Sequence, residues 1–147
     1  MVYLEFFNFL HFVGLAFGLG GATIATIISI KSEKYKEVAL AMNKIIPSIS
    51  KLIMFGLVLL IISGIALPFF ITWPLNSTNL IIKHILVVFI VIFGITMGTK
   101  SKKIMKLMPK PNEKPSLIFI KTKRQVKTLS IINLILWYAV TLLSAFV

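Results

Sequence analysis

Four stretches of this chain are each apolar over roughly 20 residues, the length a helix needs to cross a ~30 Å hydrocarbon core. They fall at about residues 4–30, 49–72, 80–99 and 128–147. The whole chain has 147 residues, so four such spans leave room only for short connections. The expected fold is all-α: one membrane domain, a bundle of four transmembrane helices. Pro47 suits a first helical turn at the start of the second span. Pro68, Pro74 and Asn76 in "PFFITWPLNSTN" break the chain before the third. No basic segment precedes the first span and no small-residue cleavage site follows it, so it reads as a retained helix rather than a signal.

Charge supports the same reading. Sixteen Lys and Arg stand against four acids, a net +12. A nucleic-acid binder can carry such a balance, but here the basic residues sit between the apolar runs, as membrane-flanking residues do. Residues 31–51 carry five lysines, residues 100–127 carry ten basic residues, and residues 73–79 carry none. Counting lysines in this way places loops 31–51 and 100–127 in the cytoplasm of a multi-pass cell-membrane protein, facing an anionic inner leaflet. Both termini and the Trp73 turn then face outward. With no cysteine, disulfides, thiolate metal sites and cysteine nucleophiles are excluded.

The loops themselves look plain. "KSEKYKEVALAMNKII" spaces Val38, Met42 and Ile45 as one face of a short interfacial helix. "MPKPNEKPS" has three prolines and reads as a solvated linker. "SLIFIKTKRQVK" either starts the fourth helix early or lies on the lipid surface. Met105 and Met108 form a Met-x-x-Met pair, but the lysines around it repel cations, which makes it an interfacial anchor rather than a copper site.

The chain has two histidines, His11 and His84, and both fall inside spans. Ionisable groups there are costly and mark function by default. With the orientation above, His11 lies roughly 10 Å and His84 roughly 7 Å below the outer boundary, at ~1.5 Å per residue. Neighbouring helix axes stand about 8–10 Å apart. Two imidazoles at one level can hold an iron between them. His11, Gly14, Gly18, Gly21 and Ala25 step by three and four residues and share a face. Such a face admits either a packed helix or a flat ligand. His84, Val88, Val91, Ile95 and Gly98 share a face on the third helix by the same arithmetic. Trp137 and Tyr138, near the middle of the fourth, either stack on a macrocycle or fill the bundle.

Glu5 and Asn8 lie above His11, and Lys83 precedes His84. Glu5 and Lys83 are expected to pair; alternatively Lys83 meets a haem propionate while Asn8 orients His11. Lys51 reads as a snorkelling topology residue. A bare copper or zinc ion wants three or four ligands, and no third imidazole, thiol or membrane carboxylate stands nearby. Haem b, with His11 and His84 as axial ligands and Gly14, Gly18 and Gly21 beside the ring, is the favoured cofactor. No acid pair, Ser-His-Asp set or phosphate loop points to a hydrolase or nucleotide enzyme.

"FLHFVGLAFGLGGA" resembles the first helix of small membrane proteins of the copper-resistance-protein-D (CopD) type. "WPLNSTNLIIKHILVVFIVIFG" resembles the entry to their third helix. The same superfamily holds the HemJ-type protoporphyrinogen oxidases, four-helix haem proteins with a first-helix histidine and a third-helix lysine. His11 and Lys83 match those positions, and Lys51 falls near the second-helix arginine of that group. The chain lacks that group's aromatic-rich first-helix signature and its Trp-His-Val-Lys entry. The resemblance therefore implies haem binding more directly than the oxidase reaction.

Together these features lead to an expected membrane oxidoreductase or electron-transfer protein that exchanges electrons with a quinol or another membrane redox partner. Two alternatives carry different expectations. A cofactor-free structural or assembly subunit of a larger membrane complex would use the glycine face for a partner helix. Porphyrinogen oxidation or copper handling would follow the resemblance.

Overall fold

The computed structural model describes residues 2–71, 77–109 and 113–144. The Trp73 turn, part of the proline linker and the last three residues lie outside that set. Among the described residues are four long helices, one short 3-10 turn and no strand. The helices are α1 (Val2–Lys34), α2 (Lys36–Ala66), α3 (Ser77–Lys106) and α4 (Leu117–Leu143). Each is long and apolar enough to cross a membrane.

The first basic segment is not a loop. α1 runs to Lys34 and α2 begins at Lys36, with Tyr35 alone in an extended conformation (φ −120°, ψ 116°). The expected interfacial helix around Val38 and Met42 is the opening of α2. Pro47 lies inside α2 rather than in its first turn. Lys and Glu are good helix formers, so a charged stretch between spans extends helices as readily as it forms a loop. The second basic segment behaves alike. α3 continues to Lys106, and α4 starts early, at Leu117, where the Ser116 hydroxyl accepts the Phe119 N–H at 3.2 Å as an N-cap. At the other end of α2, Pro68 ends the α-helix in a 3-10 turn, Leu67–Phe69. Phe70 beyond it stacks on Phe7, with centroids 5.4 Å apart, and fastens this turn to the start of α1.

α1 and α2 form one antiparallel hairpin and α3 and α4 another, and the hairpins meet where α1 packs on α4. α2 and α3 form no comparable interface. The bundle thus has three closed sides and one open seam, between α2 and α3.

The closed sides are built on small residues. A methyl group placed on Gly56 would sit 2.6 Å from the Gly18 amide nitrogen and 2.8 Å from the Gly14 carbonyl oxygen. The two backbones therefore touch, which is how helices associate in lipid without a hydrophobic drive of their own. Along α1 the buried stripe runs Gly14, Gly18, Gly21, Ala22, Thr26 and Ser29; Ala25, expected on it, is only half-buried. Across to α4, Thr26 bonds Ser130, hydroxyl to hydroxyl, at 2.8 Å. Glu33 pairs with Lys127 at 2.6 Å. The core comprises Ala22, Leu57, Ile90, Trp137 and Val140. Large apolar side chains such as Phe12, 70% exposed, cover the outside, as suits a surface solvated by lipid.

On α3 the inward residue is Ile90, 2% exposed, whereas Val88 and Ile95 are more than half exposed. The face expected to run from His84 through Val88, Val91 and Ile95 to Gly98 thus lies beside the open seam rather than in the core: His84 and Val88 are exposed, yet with Val91 they line the cavity there.

Candidate functional site

His11 comes from α1 and His84 from α3, and both line one cavity of about 250 Å³ that all four helices enclose. Lys83, Gly64, Trp137 and Ser144 also line it; the remaining walls are Leu, Ile and Val. The cavity sits at the end of the bundle away from the basic segments, beside the α2–α3 seam.

Each imidazole is held through Nδ1. His84 Nδ1 lies 2.7 Å from the Leu80 carbonyl oxygen, one turn back on its own helix. A carbonyl only accepts, so His84 carries its proton on Nδ1. His11 Nδ1 lies 2.9 Å from Ser63 Oγ. The Ser63 hydroxyl has one proton, and it points to the Leu59 carbonyl at 2.7 Å. With that proton so used, the hydroxyl oxygen is free to accept from an Nδ1–H of His11. Nε2 of each ring takes no part in these bonds. A helix carbonyl or hydroxyl fixing one ring nitrogen so that the other can bind is the usual arrangement behind a metal-ligating histidine.

The glycines of α1 stand elsewhere. A methyl on Gly18 would collide with the Trp137 ring, one on Gly14 would meet Leu60 at 2.8 Å, and one on Gly21 would meet Ile53 at 2.7 Å. Gly14, Gly18 and Gly21 are thus filled by α2 and by the indole, and none lines the cavity. The physical reason is packing density: a trough of missing side chains inside a bundle closes on the nearest large residue. Trp137, 1% exposed, is that residue. It fills the bundle and forms one cavity wall, and its indole N–H has no partner among the described residues.

The glycine that does open onto the cavity is Gly64, where an added methyl meets nothing within 4 Å. Sequence reasoning passed over it, and over Ser63 beside it. The available signal was the adjacent Ser-Gly pair in an otherwise apolar helix, level with His11.

The polar groups expected around His11 are dispersed. Glu5 and Lys83 form no ion pair: Glu5 is exposed, and Lys83 turns to the cavity. Asn8 is exposed, and Ser63 takes the orienting place given to it. Among the described residues no group of three His, Asp or Glu gathers to hold a metal ion. Comparison with family models, with characterised proteins and with solved structures gives no match.

Proposed function

We propose that this is a membrane electron-transfer protein that binds a b-type haem, with His11 and His84 as its axial ligands. The supporting observation is the pair of imidazoles lining one largely apolar cavity, both held in a hydrogen bond through Nδ1. Two ligands are too few for a bare copper or zinc ion. They suffice for an iron that brings four nitrogens of its own, as haem iron does.

The donor set suits haem; the space sets a condition. At about 250 Å³ the cavity falls just below the ~300–1,000 Å³ of ordinary ligand pockets. A macrocycle would therefore reach out past Gly64 into the α2–α3 seam, where no helix interface has to be unpacked. When bound, haem would supply a one-electron couple. The chain's own residues would do the rest. Ser63 and the Leu80 carbonyl hold both rings, Lys83 offers its ammonium to a carboxylate, and the aliphatic walls exclude water. The lysine asymmetry supports a reading in which this end of the bundle faces the outer side of a cell membrane and both basic segments face the cytoplasm. Electrons would come from a quinol or another membrane redox partner.

The test is an oxidised-minus-reduced absorption spectrum of detergent-purified protein expressed with haem supply. A Soret band that disappears in both His11→Ala and His84→Ala is the expected result. No Soret band in the unaltered protein ends the proposal.

One observation favours a second reading, porphyrinogen oxidation: Lys83 lines the same cavity as His11. Rescue of a haem-auxotrophic strain, lost in Lys83→Gln, would support it. The structural-subunit alternative loses its expected surface, because the glycine face is consumed within the chain. Co-purification of partners unaffected by both histidine substitutions would restore it.

A further inference from the structure

The α2–α3 seam has a second opening at its basic end. This cleft, about 670 Å³, is bounded by α2 from Met42 to Met54 and by α3 from Gly98 to Met105. Its rim carries two lysines, Lys51 from α2 and Lys102 from α3. Both are exposed, neither has a hydrogen-bond or ion-pair partner among the described residues, and no acid lines the cleft. On the membrane side of these lysines the cleft is lined by Met54 and Gly98; Met42, Ile46, Ile104 and Met105 give it apolar walls toward the basic end. Gly98 has nothing within 4 Å of where its side chain would stand, so the floor is open toward the middle of the seam.

Depth identifies the level. From Lys51 to Phe69, the end of that span, is about 27 Å of helix at ~1.5 Å per residue. That is close to one hydrocarbon thickness of ~30 Å. Lys102 stands about 36 Å along α3 from Thr78, where its span begins. The two ammonium groups therefore stand toward the basic ends of their spans, with Met54 and Gly98 on the acyl side of them.

We infer that this cleft is a binding site for an anionic phospholipid, with Lys51 and Lys102 on the phosphate and an acyl chain along Met54 and Gly98. Charge selects the head, since basic pockets between helices on the inner side take anionic lipids. The unfilled strip at Gly98 selects a tailed ligand over free phosphate. A second cationic cluster, Lys100, Lys121 and Arg124 between α3 and α4, makes a useful contrast. Its Lys100 is already bonded to Gln125 at 2.7 Å, and its lining comprises only these charges with Thr96, Gln125, Thr128 and Leu129, with no apolar trough.

The test is native mass spectrometry of the full chain in detergent with added phosphatidylglycerol or phosphatidylcholine. Retention of phosphatidylglycerol over phosphatidylcholine is expected. Lys51→Gln with Lys102→Gln should weaken it about 30-fold, the weight of two lysines near a headgroup. The Lys51→Arg, Lys102→Arg pair should retain it. Gly98→Leu, which leaves every charge in place and whose Cβ has no atom within 4 Å, should also abolish it. Lys100→Gln with Lys121→Gln removes the same charge elsewhere and should leave it within a few-fold. Equal retention of both lipids overturns the inference. So does an equal loss in the α3–α4 control, which would mean net charge alone. So do unchanged binding in Gly98→Leu and displacement of the lipid by inorganic phosphate, either of which would mean a site for a free anion.

Discussion

Gly14, Gly18 and Gly56 and, on the other side of the molecule, Gly64 and Gly98 are the same residue with opposite surroundings. The first group lies where α1 meets α2 and α4, and any added methyl there collides with backbone or with the Trp137 ring. The second lies along the α2–α3 seam, and an added methyl meets nothing. A helix in lipid gains little from burying apolar surface, because lipid tails are as apolar as leucine. Close packing needs small residues opposite a matching neighbour. Where the match exists the bundle closes, and where it does not a groove remains.

Five substitutions would break or sharpen that contrast. The largest effect belongs to Trp137→Ala, which empties the side of the bundle that the indole fills. A loss of about 3–5 kcal/mol is expected from the cavity alone, read as unfolding in detergent micelles by circular dichroism. A stability within 1 kcal/mol of the unaltered protein would mean that the closed side is not held by this ring. Gly56→Ala follows, at about 3 kcal/mol, the upper end of overpacking costs. Its methyl would meet the main chain of α1, which cannot rotate away as a side chain can. Gly64→Ala and Gly98→Ala run the other way: each should gain up to about 1 kcal/mol of helix propensity. A loss of stability at either would show the seam to be packed. Smallest is Glu33→Gln. Its pair with Lys127 bridges α1 and α4 at 2.6 Å, but both side chains are partly exposed, and such pairs contribute about 0–1 kcal/mol. A larger loss in a low-salt unfolding titration would mean that charge rather than small-residue packing holds that side.

Much of the fold was legible because apolar length is a one-dimensional property. A run of Leu, Ile, Val and Phe long enough to cross lipid declares itself without reference to any other run. The helix ends were not legible. Lys31, Lys34 and Lys36 signal the edge of lipid, but lysine does not stop a helix, and α2 begins one residue after Tyr35. The site was half legible. Depth alone brought His11 and His84 together at one level, since it needs only counting along each helix. Which way the α1 glycines face could also be counted, but what they face could not. That depends on Trp137, more than a hundred residues later, and on its fit against Gly18. Ser63 and Gly64 were hidden for the same reason: a lone serine or glycine in a span has no periodicity, and its role comes only from the helix beside it.

The contacts joining α1 to α4 follow a single line: Gly18 against Trp137, Thr26 against Ser130, Glu33 against Lys127. Among the described residues no other pair of helices across the two hairpins makes a comparable contact. That line is the joint between the two hairpins and the seam is the free edge opposite it, like the spine and fore-edge of a book. With neighbouring axes about 9 Å apart, a swing of about 15° would part the free edge by roughly 2 Å and leave the spine bound.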